Sequence, residues 1–170
     1  MICYGTSQAG AEHERLGREC QDTYMSGKAG RYTITVVADG LGSAARSKEG
    51  SSAACEYLLN ALSELLTDDA CDTVKAMKLA FCAACTAVLS KARDEGMQPS
   101  VFETTLSAVI ADGNSVTYGH VGDGGIAMLT PEGRLGLLTS RQSGFYEGSV
   151  YPLVNSFKSC VFERVEGSWK

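Results

Sequence analysis

The pattern of hydrophobic and polar residues begins with strands. Residues 1–8 predict a short strand, residues 9–17 a polar loop, and residues 33–38 a buried strand of β-branched and apolar side chains. A turn at 27–30 joins this buried strand to a preceding strand that starts near Asp22. We expect the two strands to form a hairpin, which places Asp22 close to the end of the buried strand.

Two helices are predicted next. Apolar residues recur every three or four positions over 47–66 and again over 72–94, so each helix has one stripe that faces a core. Asp72 is expected to cap the second helix. This helix contains a C-x-x-C motif, Cys82 and Cys85, without the second cysteine pair that completes a zinc site. The pattern therefore favours packing of these cysteines in the core.

After the helices the hydrophobic period becomes two. Short strands are predicted over 104–111, 115–121, 125–129 and 134–138, joined by Asp-Gly and Pro-Glu-Gly turns. We expect them to form a continuous antiparallel meander, with a further strand over 160–165. Strands, two helices and then a run of strands indicate an α+β fold rather than alternating βαβ units.

Composition restricts the class of protein. A length of 170 residues suggests one domain, and a hydrophobic fraction of 44% is typical of a soluble globular chain. The net charge of −5, without a block of like charges, argues against a nucleic-acid partner. No segment is predicted to span a membrane, and the N-terminus lacks a signal-peptide pattern. We therefore expect a cytoplasmic protein whose seven cysteines are reduced.

Aspartates at strand ends are the candidate chemistry. Asp39 ends the buried strand directly before a two-glycine turn, and Asp22 and Asp123 also lie at strand edges. Ligation by oxygen alone selects hard cations such as Mg²⁺ or Mn²⁺. Each aspartate alone also fits ordinary turn chemistry. The three together favour a metal site.

The residues after Asp39 allow a second interpretation. Residues 40–45 fit the G-x-G-x-x-A fingerprint of dinucleotide-binding domains, after a strand and before a helix. That fingerprint also requires an acidic residue at the end of a second strand about 20 residues later. A predicted helix occupies this place, so the context of the fingerprint fails.

Four motifs follow one another along the chain: CQD at 20–22, VVADGLGS at 36–43, ETTLSAVI at 103–110 and HVGDGGIAML at 120–129. In this order they resemble the metal-dependent serine/threonine phosphatases of type 2C, the PPM family. The resemblance covers about residues 5–139, and the segment 6–22 is similar to a bacterial subgroup. It implies a β-sandwich with helices on both outer faces, a four-layer α-β-β-α arrangement, as one phosphatase domain over 1–170.

The resemblance also implies roles for single residues. Asp39 would bridge two divalent metals, Mg²⁺ or Mn²⁺, with the Gly40 carbonyl as a further ligand and Asp22 acting directly or through water. Asp123 matches an aspartate associated with a third, weaker metal. The paired cations would activate a water and offset charge on the phosphoryl group during in-line attack. The implied substrate is a protein carrying phosphoserine or phosphothreonine, and the implied signalling partner is a cognate serine/threonine kinase.

Two positions depart from the family near the substrate. Gly17 stands where the family often has an arginine that holds the substrate phosphate, so Arg18 and His13 are the candidate replacements. Leu41 stands where eukaryotic members often have a histidine that acts as general acid. Leucine cannot transfer a proton, so this role would pass to water or to His13.

A third departure lies in the C-terminal region. The family supplies two further metal-binding aspartates from C-terminal strands, whereas no aspartate follows Asp123 here. The expectation is an incomplete sandwich that holds metal weakly and exposes sheet edges through which a homodimer can form. Two functions stay open: a phosphoserine/phosphothreonine phosphatase, and a catalytically inactive binding module on the same fold.

Overall fold

An antiparallel sheet covered on one face by two long helices forms the centre of the molecule. The computed structural model describes residues 1–67, 70–142 and 149–167. The helices and strands in chain order are α1 (Ala11–Arg15), β1 (Thr23–Ala29), β2 (Tyr32–Ala38), α2 (Ser47–Leu65), α3 (Thr73–Asp94), β3 (Leu106–Ala111), β4 (Ser115–Val121), β5 (Ala127–Leu129), β6 (Leu135–Leu137) and β7 (Val161–Glu166), with 3₁₀ turns at Pro99–Phe102 and Phe157–Ser159.

The five-stranded sheet has the order β1-β2-β3-β4-β7, and every neighbouring pair is antiparallel. The predicted hairpin is confirmed, since Thr23 pairs with Ala38 and Ala29 with Tyr32. The predicted continuous meander is wrong, because β4 pairs with β7, and among the described residues β5 and β6 pair only with each other. Gly122, at a φ of +121°, turns the chain away from the sheet after β4. The free edge of β4 is then available to β7.

Both long helices form where the hydrophobic period predicts them. Asp72 caps α3 as expected, with Oδ1 accepting hydrogen bonds from the backbone N–H groups of Val74 and Lys75, each at 3.0 Å. Helix α2 packs against β1 and β2, while α3 packs against β4 and β7. Large side chains such as Leu58 and Phe81 are fully buried between these layers. Burial of each such side chain contributes roughly 1.5–3 kcal/mol to the free energy of folding.

Helix α3 corrects the prediction about membrane-spanning segments. By length and composition alone, it is apolar enough to cross a bilayer. In the structure its apolar stripe instead packs on the sheet, where Met77, Phe81 and Val88 have no solvent exposure. The hydropathy of this helix is thus accounted for by the core that it builds.

Three local predictions are wrong: those for the N-terminal segment, for the turn of the first hairpin and for Cys82 on α3. Residues 1–8 form no strand, and α1 lies inside the predicted loop. The hairpin turn is at residues 30–31 rather than 27–30, because Gly30 adopts the left-handed conformation at φ +55°. Cys82 is exposed rather than packed in the core.

The α+β prediction is confirmed. Within the described ranges, the helix pair and the five-stranded sheet form two of the four predicted layers, the second sheet is limited to the β5–β6 pair, and no second pair of long helices is present. The sheet face opposite the helices is partly covered by N-terminal residues, where Cys3 Sγ contacts Thr35 Oγ1 at 3.4 Å. The entry to β5 lies over the same face, as Ile126 and Val37 line one small cavity.

Candidate metal centre

The backbone of Asp39 is fixed on both sides of its side chain. Its N–H donates to Thr105 Oγ1 at 3.0 Å, and its carbonyl accepts from the Thr105 N–H at 2.8 Å. The same carbonyl also accepts from Thr104 Oγ1 at 3.0 Å. These bonds join the end of β2 to the residues before β3. The paired threonines therefore position Asp39 through its main chain.

The first turn of α2 holds the segment that carries Asp22. Lys48 Nζ donates to the Asp22 carbonyl at 2.8 Å, and Ser51 Oγ donates to the Gln21 carbonyl at 2.7 Å. Gly40 allows this close approach, because an added Cβ would lie 2.8 Å from the Gln21 carbonyl oxygen. The segment before β1, the turn after β2 and the start of α2 meet here, and they bring Asp22 beside Asp39.

The Asp39 carboxyl lies in an acidic environment. Partial burial, the hydrogen bond with Asp22 and the charges of Asp22 and Asp123 together raise the pKa of Asp39 to about 6, and burial is the largest of these causes. Neighbouring carboxylates resist simultaneous ionisation, which a shared proton or a cation relieves. The donor set is therefore suited to a hard divalent cation.

Asp123 borders the same cleft as Asp39, an opening of about 490 Å³. Gln142 holds the turn before Asp123 from both sides, since its Oε1 accepts from the Gly122 N–H at 3.1 Å and its own N–H donates to the Gly122 carbonyl at 2.8 Å. Arg141 pairs with Asp123 at 3.5 Å. The turn that carries Asp123 is therefore fixed by Gln142, and Asp123 lines the cleft together with Asp39.

The predicted aspartates do not all converge. Asp22 and Asp39 are in hydrogen-bonding reach, whereas Asp123 acts on Asp39 through charge. Among the described residues, no three histidine, cysteine, aspartate or glutamate side chains lie close enough to hold one metal ion together. The structure therefore contains a two-carboxylate cluster with a third carboxylate across the cleft.

Two regions contribute to the cleft without having been singled out from the sequence. Glu103 lines it beside Asp39, and burial raises its pKa while a hydrogen bond from Asn155 opposes this shift. An acid directly before Thr-Thr-Leu was the available signal. Ser149 and Val150 also line the cleft, and they come from a segment with no clear hydrophobic period.

The two candidate substrate residues are placed differently. Arg18 lines a second cleft of about 540 Å³, which shares Gly42 and Ser43 with the cleft at Asp39. His13 lies on α1 and belongs to the lining of neither cleft. Its carbonyl accepts from the Arg18 N–H at 2.8 Å, which ties the arginine to α1.

The family model described as "Protein phosphatase 2C" matches residues 9–166 of this chain. The chain belongs to the protein phosphatase 2C family. No curated protein sequence matches it significantly.

Solved structures share the fold at low identity. A Stage II sporulation E family protein from Thermanaerovibrio acidaminovorans superposes with a TM-score of 0.69 at 16% identity, covering 86% of this chain and 75% of that one. The catalytic domain of the serine/threonine phosphatase PstP with two manganese ions gives 0.64 at 19%, covering 88% and 66%. RsbX with magnesium gives 0.58 at 19%, covering 88% and 62%. This chain therefore spans 62 to 75% of the length of these phosphatase-fold structures.

Proposed function

We propose that this member of the protein phosphatase 2C family removes phosphate from phosphoserine and phosphothreonine in proteins, using divalent cations held at the Asp39 cleft. The observation that carries the proposal is the Asp22–Asp39 pair, with a raised pKa of about 6 at Asp39, at the rim of an open cleft. The raised pKa reflects, besides burial, negative charge from neighbouring carboxylates. A divalent cation bound between them would neutralise that charge.

Mg²⁺ or Mn²⁺ is the proposed cofactor. Oxygen donors favour both ions, and the PstP and RsbX structures contain manganese and magnesium. When bound, the ions supply Lewis acidity that activates water and offsets phosphoryl charge. Asp39, the Gly40 carbonyl and Asp22 would hold the paired ions, and Asp123 would hold a third, weaker one.

Substrate contacts are assigned to Arg18 and His13. Arg18 lines the cleft that joins the carboxylate site through Gly42 and Ser43, and the planar fork of a guanidinium suits bidentate binding of a phosphate. His13, on the short helix α1, is proposed as the proton donor. Residues 1–170 would work as one phosphatase domain of a bacterial, cytoplasmic signalling protein that opposes a serine/threonine kinase.

A homodimer is proposed through the β5–β6 pair. One face of this hairpin carries Leu129, Leu135 and Leu137, which are 65%, 73% and 76% exposed. A two-stranded hairpin is marginally stable alone, so a second copy would cover this face. Sedimentation equilibrium should show a dimer that Leu135→Asp dissociates. A monomer at all concentrations would contradict this part of the proposal.

The function is tested by Mn²⁺ binding and turnover in the full chain. Asp39→Asn keeps the side-chain shape but removes the charge, so calorimetry should show loss of Mn²⁺ binding and a phosphopeptide assay should show loss of Mn²⁺-dependent phosphate release. Asp94→Asn, which removes one exposed aspartate at the end of α3, is the matched control. Mn²⁺ affinity that survives Asp39→Asn would contradict the metal assignment. Mn²⁺ binding without turnover would favour the binding module.

A further inference from the structure

Three of the seven cysteines lie near the contact between α3 and β7. Cys82 and Cys85 lie one turn apart on α3, and Cys160 directly precedes β7. Cys82 is exposed, whereas Cys85 and Cys160 are partly buried against the core. Burial, together with the neighbouring thiols of Cys85 and Cys82, raises the pKa of Cys160 to about 12.

An aromatic pair fixes the register of α3 on β7. The rings of Phe81 and Phe162 pack edge to face with centroids 5.0 Å apart. Cys85 follows Phe81 by four residues on the same helix face, about 6 Å further along the axis. Cys160 precedes Phe162 by two residues on the same strand face, about 7 Å away.

The direction of α3 places both cysteines on the same side of that aromatic pair. Thr73 near the start of α3 contacts Thr117 of β4, with 2.6 Å between the hydroxyl oxygens. Phe81, two turns later, packs against Gly119 of the same strand. Helix α3 thus runs along β4 and opposite to β7, its antiparallel neighbour. The similar displacements from the aromatic pair therefore bring Cys85 and Cys160 near each other.

We propose that Cys160 and the C-x-x-C pair of α3 form an oxidisable thiol site, at which a peroxide joins α3 to β7 by a disulfide. The exposed Cys82 is the thiol that a peroxide reaches first. Its thiolate attacks one peroxide oxygen and breaks the O–O bond, which gives a sulfenic acid and, after protonation, one water. The Cys160 thiol then attacks that sulfur, and its proton leaves with the displaced hydroxide as a second water.

The electron balance of this reaction is closed. Two thiols lose two protons and two electrons, and hydrogen peroxide is reduced to two molecules of water. Cys85 is the nearer neighbour of Cys160 in its effect on that thiol, so it can replace Cys82 in the bond by thiol–disulfide exchange. Either bond links the same two elements.

The thiol site is connected to the candidate metal centre by hydrogen bonds. Gln142 Nε2 donates to the carbonyl of Ser159, the residue before Cys160, at 2.9 Å. The same glutamine brackets Gly122 through two hydrogen bonds, at 3.1 and 2.8 Å, and Gly122 precedes Asp123. A disulfide at Cys160 therefore restrains the segment that braces the Asp123 turn. The thiol site itself does not depend on the proposed phosphatase function.

The test uses the full chain, reduced, freed of reductant and exposed to hydrogen peroxide, with remaining thiols then blocked by an alkylating reagent. Trypsin cuts after Lys78, Lys91, Lys158 and Arg164, so Cys82 and Cys85 leave in peptide 79–91 and Cys160 in peptide 159–164. We expect these two peptides to be joined, with a loss of two hydrogens that a reductant restores. Cys160→Ser should abolish the joined peptide, and Cys71→Ser should retain it.

The other outcomes are as informative. Disulfides only within peptide 79–91, only with other cysteines, or sulfinic acid without any disulfide would overturn the proposal. Cys160→Val preserves apolar packing if the serine variant fails to fold, and it should also lose the joined peptide. In the intact chain, oxidation should raise the thermal midpoint and slow deuterium uptake around Gly122. Unchanged uptake there would overturn the coupling to the Asp123 turn.

Discussion

The two faces of the five-stranded sheet are built from the same strands but have different properties. On β2, Val36 faces the helices with 0% exposure, whereas its neighbour Val37 faces away with 45% exposure. On β3, Leu106 and Ile110 are buried under the helices, while Ser107 and Val109 on the other face are only partly covered. The face under the helices contains the buried apolar side chains that stabilise the fold. The opposite face is more exposed and borders the cleft at the strand ends.

The difference shows where this chain can accommodate function. A side chain under α2 and α3 has neighbours on all sides, so a change there creates a cavity or an overpacked contact. The carboxylates lie at the border between the covered sheet and the turns, where backbone hydrogen bonds rather than apolar packing fix them. Substitutions can therefore separate stability from site geometry.

The largest effect is expected from the helix-covered face. Phe81→Ala removes a fully buried ring that contacts Phe162, and it should lower the free energy of unfolding by about 3–5 kcal/mol. Leu79→Ala, two residues away on α3 and 48% exposed, is the control and should change stability by less than about 0.5 kcal/mol. Urea denaturation measures both. Equal decreases in the free energy of unfolding for the two variants would contradict the proposed difference between the two sides of the helix.

A smaller effect is expected at the turn that carries Asp123. Gly122→Ala puts a Cβ at a φ of +121° and 2.6 Å from the Thr105 Cβ and Cγ2 atoms, which should cost about 1–3 kcal/mol. Gly125→Ala meets nothing within 4 Å and should be close to neutral in the same denaturation experiment. A neutral Gly122→Ala would show that the turn is not constrained by Thr105.

The metal-free carboxylate pair should make stability depend on pH. The folded-state pKa of Asp39 is raised from 3.8 to about 6, so the folded chain binds this proton more tightly than the unfolded chain. Its contribution to stability is full below about pH 4 and is lost as pH rises through about 6. Comparison of pH-dependent denaturation curves, recorded in chelator, should show this decrease in the parent chain and its absence in Asp39→Asn. Identical slopes would contradict the assignment.

The smallest effect is expected on the sheet face away from the helices. Val37→Ala should change the free energy of unfolding by less than about 0.5 kcal/mol, because the side chain is 45% exposed. Val36→Ala, with the same chemistry on the covered face, should cost on the order of 2 kcal/mol. Thermal denaturation of the two variants compares the faces directly. A large loss for Val37→Ala would indicate that another element or a second chain covers it.

The sequence by itself determined what depends on near neighbours. The three- and four-residue hydrophobic period located α2 and α3, because residues at that spacing share one helix face. The Asp72 cap and the first hairpin also follow from residues close in sequence. The four motifs in order were sufficient to indicate the family that the match over residues 9–166 confirms.

Only the tertiary structure decided which distant segments meet. Several contacts join residues that are far apart in sequence. They are the pairing of β4 with β7, the hydrogen bonds between Thr105 and Asp39, the position of Glu103 in the cleft wall and the proximity of Cys160 to α3. A local pattern assigns a residue to a face or a strand end, but it does not specify the partner. That choice depends on which edges and faces remain unfilled after the whole chain has packed.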